Sequence, residues 1–220
     1  MEVLSTVFAS LIGAVLGSLG SQWLRHRFQT QAELGRTRRD VAPRHLIQLQ
    51  DTMESLYFRL RNLSTRPDRN LWQYPYYTVS SLYALANFLA HKRRLMLDGA
   101  YALLDVHGDE FPHELESALE KVESLFGKDW IAGNSFFRYQ RQAVGESLLI
   151  WNEGWRVANY AEFVEREMNG ELETSLKAAR EFFGWHEAID WSEIRDALGE
   201  ALGLVRTRTG IGSGVQPQPD

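Results

Sequence analysis

The feature that most constrains this chain is the run Val3–Leu24, which contains no Asp, Glu, Lys, Arg or His and is followed at once by Arg25, His26 and Arg27. A helix of about 22 residues rises about 33 Å, close to the thickness of a bilayer's hydrocarbon. The run is therefore expected to be a transmembrane anchor over residues 1–24. Only Glu2 precedes it, whereas Arg25, Arg27, Arg36, Arg38, Arg39 and Arg44 follow. The positive-inside bias then puts the N-terminus outside and the body in the cytoplasm, a single-pass arrangement in the inner or cytoplasmic membrane. A cleavable signal peptide would carry its basic residues first. Trp23 stands where an interfacial aromatic belongs.

Ser10, Gly13, Gly17 and Ser21 recur every three or four residues along the run. Small side chains on one stripe let two backbones approach closely in lipid, so they are the expected contact of a homo-oligomer. Residues 25–42 read as a basic juxtamembrane stalk. Charge is unevenly spread: residues 25–70 hold ten Arg against five acids, and residues 105–200 hold nine basic residues against twenty-one acids. The basic part adjoins the expected lipid partner and the acidic part is held off it. Nucleic acid is disfavoured as a partner, because the basic stretch is explained by topology and the remainder is acidic.

Residues 43–206 read as an all-α domain, a cytoplasmic bundle of about six or seven helices. Leu46, Leu49, Met53, Leu56, Leu60 and Leu63 alternate spacings of three and four, a core-facing stripe or a short coiled-coil seam. A loop over residues 64–75 leads to a helix expected from Tyr76 to Leu104, with Gly99 a point of interruption. Pro112 suits a first helical turn, ahead of the row Leu115, Leu119, Val122 and Phe126 that Gly127 closes. A helix is expected from about Ser135 to Trp151, with Phe137, Val144, Leu148 and Trp151 in the core. Shorter helices follow at Tyr160–Met168 and from Leu172 to Phe183. Asp190 and Glu193 have capping-box spacing before a last helix through Val205. Residues 207–220, rich in Gly, Ser, Pro and Gln, read as a disordered tail. No strand pair is apparent.

Chemistry is sparse. Cysteine is absent, which removes disulfides, thiolate ligands and a Cys nucleophile. No nucleophile elbow, phosphate loop or dinucleotide fingerprint occurs. The histidines lack metal-binding spacing, and no metal or cofactor is implied. Arg138, Gln142 and Glu146 fall four apart on one helical row with Arg141 beside it, and Gly145 would admit another helix or a ligand. An arginine fork binds carboxylate or phosphate, and Glu146 could hold it or serve as a base. The same residues equally suit a network that orients helices. Tyr83, Asn87 and His91, also four apart, either line a polar groove or are satisfied within the bundle.

The basic exit of the anchor, Ser80-Ser81-Leu82-Tyr83 leading to Phe88-Leu89-Ala90, the stretch Phe137 to Glu146, and Asn159-Tyr160-Ala161-Glu162-Phe163-Val164 together resemble a bacterial family of single-pass, membrane-anchored all-helical proteins with no assigned activity. The resemblance implies one architecture for most of the chain and no particular reaction or ligand. The expected function is a membrane-anchored interaction or scaffold protein that recruits a protein partner without catalysis. The alternative is an anchored enzyme or sensor that binds a small anion through Arg138, Arg141 and Glu146.

Overall fold

The computed structural model describes residues 43–65, 75–98, 104, 110–131, 134–185 and 187–211. The apolar run with Ser10, Gly13, Gly17 and Ser21, the stalk, and the chain from 212 onward lie outside the described residues. Among the described residues no helix is long and apolar enough to cross a membrane. They are predominantly helical, with seven helices and one two-stranded hairpin.

Helix α1 spans residues 43–65. Its seam from Leu46 to Leu63 is buried along its whole length, so the three-four spacing serves one core-facing stripe. α1 lies against the last helix, α7, Trp191–Thr209. Arg206 Nε and Nη2 donate to Glu54 Oε1 at 3.1 and 3.0 Å, and Tyr57 packs on Gly199, where a Cβ would stand 3.3 Å from the ring. Gln50 Nε2 donates to the Ile211 carbonyl, and the Thr209 hydroxyl donates to Gln50 Oε1. These bonds correct the expected tail boundary at 207: the helix continues through Thr209. It stops at Gly210 in the left-handed region, φ 67°, a conformation that glycine adopts without Cβ strain.

Helix α2, Pro75–Leu97, is the central element, with Leu82, Leu85, Phe88, Leu89 and Leu95 buried and Pro75 at its start. It is shorter than the sequence pattern suggests, since it ends at Leu97. Helix α3, Phe111–Phe126, carries Pro112 in its first turn, buries Leu115, Leu119, Val122 and Phe126 as their spacing predicts, and packs on α7. Helix α4, Arg138–Glu146, packs on α2. The close approach expected at Gly145 is realised: a Cβ there would stand 2.8 Å from the Leu89 carbonyl carbon and 2.9 Å from its oxygen.

The helix expected to reach Trp151 stops at Glu146, and a hairpin replaces its end. Strands β1, Leu149–Trp151, and β2, Trp155–Val157, pair antiparallel with Trp151 opposite Trp155. Leu-Ile-Trp and Trp-Arg-Val are strand-forming runs, and Asn152-Glu153-Gly154 between them turns the chain, with Glu153 at φ 55°. The period of the apolar residues is therefore two where a period of 3.6 was expected. As a result Trp151 is 65% exposed, set edge-on to Trp155 at 5.1 Å. Phe137, placed in the core by the longer helix, is 59% exposed, and Phe136 is buried instead.

Helix α5, Tyr160–Met168, opens on a capping box that joins Asn159 and Glu162, and helix α6 follows at Glu173–Gly184. Asp190 caps α7 by accepting from the N–H groups of Ser192 and Glu193. Glu193, expected to complete a capping box, reaches Lys128 Nζ at 2.6 Å. Phe182 of α6 gathers the core aromatics, with ring centroids 5.8 Å from Phe126, 5.3 Å from Phe136 and 5.7 Å from Trp191.

Candidate functional site

At 3.6 residues per turn, Leu89, Lys92, Arg93 and Met96 fall on one face of α2, and Tyr83, Asn87, His91 and Arg94 fall on the opposite face. Each face borders a hollow.

The first is a charged cleft of about 250 Å³ between α2, α3 and α4. α2 contributes Lys92 and Arg93, α4 contributes Arg138, Arg141 and Gln142, and α3 contributes Glu116, Glu120 and Glu123. The wall therefore carries four basic and three acidic side chains. Lys92 Nζ lies 2.8 Å from Glu123 Oε1. Arg93 Nε and Gln142 Nε2 both donate to Glu146 Oε1 at 2.9 Å, which holds Glu146 off the cleft wall.

Arg141 is only 7% exposed. Its Nη1 donates to the Phe136 carbonyl, so the side chain ties α4 to the extended segment before it. The guanidinium lies over Gly127 at the end of α3, where a Cβ would stand 2.6 Å from Nη1. Burial pushes the Arg141 pKa down, Glu123 raises it and Arg138 lowers it. Its Nε is buried without a hydrogen-bond partner among the described residues. Arg138 is exposed at the cleft mouth and makes no ion pair among the described residues. Of the row Arg138, Gln142 and Glu146 with Arg141 beside it, the structure brings Arg138, Arg141 and Gln142 to the cleft and turns Glu146 into an anchor for Arg93 and Gln142.

The second hollow is a groove of about 430 Å³ between α1, α2 and the junction of β2 with α5. Tyr83, Asn87, His91 and Arg94 of α2 face Gln48, Asp51, Thr52 and Ser55 of α1, and Arg156 and Asn159 close one end. Tyr83 Oη donates to the Ala158 carbonyl at 3.4 Å, and burial raises its pKa. Arg94 Nε donates to Asp98 at 3.1 Å and its Nη1 to Gln48 at 3.1 Å. Arg156 grips Glu162 through both Nη atoms, at 2.8 and 2.7 Å. That fork, then the Asn159 N–H, lowers the Glu162 pKa to about 2. His91 is held neutral: burial, then the charges of Arg94 and His45, lower its pKa to about 4.

Sequence reasoning found the α2 side of this groove and missed the rest. The α1 side was legible as a polar row, since Gln48, Asp51, Thr52 and Ser55 have the i, i+3, i+4, i+7 spacing of a single face. Arg156 and Asn159 were not, because the sequence pattern shows no strand pair and the hairpin that delivers them forms only when β1 and β2 meet. Among the described residues no cluster of three or more His, Asp or Glu side chains is arranged to hold a metal.

Comparison with known protein families, with curated proteins and with solved structures finds no match to this chain.

Proposed function

We propose that this chain is a membrane-anchored, non-catalytic helical interaction module whose charged cleft receives a protein segment carrying both signs of charge. The reading takes its anchor, N-out orientation and cytoplasmic body from Val3–Leu24 and its basic exit, and its self-association from Ser10, Gly13, Gly17 and Ser21. The observation that carries it is the cleft wall. Glu116, Glu120 and Glu123 on α3 oppose Arg93, Arg138 and Arg141, and exposed Met96 lies among them. Opposed charges around an apolar residue set the register of a charged peptide and reject a uniformly charged one.

The test is photo-crosslinking of the full chain in intact membranes, with a photoreactive residue replacing Met96. One discrete adduct is expected, and its yield falls about tenfold in Arg138→Glu, as charge complementarity predicts. Loss of helicity in the variant is checked by circular dichroism, with Glu120→Lys as the second variant. A strictly monomeric chain without an adduct overturns the proposal.

A second reading, in which a small anion binds through Arg138, Arg141 and Glu146, draws on Arg138 and the Arg141 Nε, which have no ion pair and no hydrogen-bond partner, respectively, among the described residues. Three glutamates on the facing helix and the engagement of Glu146 by Arg93 weigh against it. Stabilisation by citrate or inorganic phosphate that Arg138→Ala abolishes would favour it, because a ligand that binds only the folded chain raises its stability.

A further inference from the structure

Helices in a bundle normally meet through apolar stripes, yet α1 and α2 turn polar rows toward each other across the groove. Only one hydrogen bond spans it between their side chains among the described residues, from Arg94 to Gln48. Asn87 offers two donors and an acceptor, and neutral His91 one of each. Neither side chain makes a hydrogen bond among the described residues, and both are half-buried. Ser55 and Asp51 face them from α1, exposed at the rim. The groove thus presents Asn87, His91 and Ser55, neutral donors and acceptors, with the single Asp51 carboxylate at the rim.

The charges say which groups. A carboxylate or phosphate is recognised by an open guanidinium fork. Arg156 has spent its fork on Glu162, and Arg94 has committed two of its nitrogens to Asp98 and Gln48. A cation would find Asp51 but would sit among two arginines. Neither sign is favoured. Vicinal hydroxyls, each both donor and acceptor, match an amide, a neutral imidazole, a serine and a carboxylate without bringing charge, while Val157 and Ala158 supply an apolar wall for the carbon skeleton. A volume near 430 Å³ lies at the small end of ligand pockets, about 300 to 1,000 Å³.

We infer that the groove between α1, α2 and the hairpin is a binding site for a small neutral polyhydroxylated molecule, a polyol or monosaccharide, held by Asn87, His91, Ser55 and Asp51. The site is independent of the charged cleft and stands whether or not that cleft takes a protein.

The experiment follows the imidazole signals of the full chain by NMR, with His91 assigned from the signal lost in His91→Gln. Glucose, myo-inositol and sorbitol are titrated in parallel with citrate, inorganic phosphate and ethanolamine. A saturable shift of His91 is expected with at least one neutral polyol, with a dissociation constant of about 1 mM or below. Asn87→Ala should weaken it about tenfold, the loss of one or two hydrogen bonds; should that variant fail to fold, Ser55→Ala at the exposed rim replaces it. The inference is overturned if none of the three polyols gives a saturable shift, if an ion gives one in their place, or if the folded variant binds as the parent does.

Discussion

The two faces of α2 solve opposite problems with similar residues. On the cleft side, Lys92 is answered by Glu123, Arg93 by Glu146, and Arg141 by the Phe136 carbonyl, its guanidinium lying over Gly127. On the groove side, Arg94 and Arg156 are answered beside themselves, by Asp98 and Glu162, and Asn87, His91 and Ser55 face the space together with the Asp51 carboxylate. The lesson is that an arginine's meaning is set by where its partner stands. A partner on the facing helix links the two walls of a hollow, and a partner beside the arginine uses its charge without crossing the space.

The largest effect expected from breaking this contrast is at Gly145. Gly145→Val pushes a side chain into the Leu89 backbone, and because backbone cannot yield as a side-chain tip can, the cost is about 3 kcal/mol, the upper end for over-packing. Urea unfolding checks it. A change below about 1 kcal/mol would mean that α2 and α4 slide apart freely and that the cleft is not a fixed shape.

A smaller effect separates structure from binding at Arg141. Arg141→Ala is expected to destabilise the chain by about 1 to 3 kcal/mol through a lost buried hydrogen bond, and Gly127→Ala by about 1 kcal/mol or less, because its Cβ meets the tip of a side chain. The double variant should cost clearly less than the sum, since alanine at 127 meets no guanidinium once Arg141 is gone and contacting sites couple. Strict additivity would show that Arg141 does not depend on the missing Cβ.

The smallest effect is read from pH on the groove side. The folded chain holds His91 near pKa 4 against an ordinary 6.5. The unfolded chain therefore binds the extra proton first, so stability falls as pH drops from about 6.5 toward 4 and is insensitive to His91 above that window. In His91→Gln the slope in that window should be shallower, measured by denaturant unfolding at a series of pH values. An imidazole that titrates near 6.5 by NMR would show that His91 is fully solvated and the groove wide open.

Much of the fold was legible. The seam Leu46 to Leu63, the row Leu115 to Phe126 and the helix Tyr160–Met168 all follow from spacing and end signals that act within a few residues. The hairpin was not: Leu149-Ile150-Trp151 continues the apolar residues of α4, and short apolar runs do not distinguish helix from strand by periodicity alone. Misreading it displaced Phe137 and Trp151 into the core and hid Arg156 and Asn159. The end of α7 was misplaced because Thr207 to Ile211 is held by Gln50, a partner far away in the chain.

What the sequence alone determined is local: an apolar run with a basic exit, which residues prefer helix, and which face of each helix is apolar. These properties depend on neighbours three or four positions apart, and the order of the residues encodes them directly. What only the tertiary structure decided is which polar rows meet. The row Arg138, Gln142 and Glu146 looked like one site, yet Arg93, distant in sequence, claims Glu146, while Tyr83, Asn87 and His91 gain a groove because α1 turns Gln48, Asp51, Thr52 and Ser55 toward them. Charge and hydrogen-bond satisfaction are settled between elements, so similar residues make a charge-lined cleft on one side of α2 and a groove of open hydrogen-bonding groups on the other.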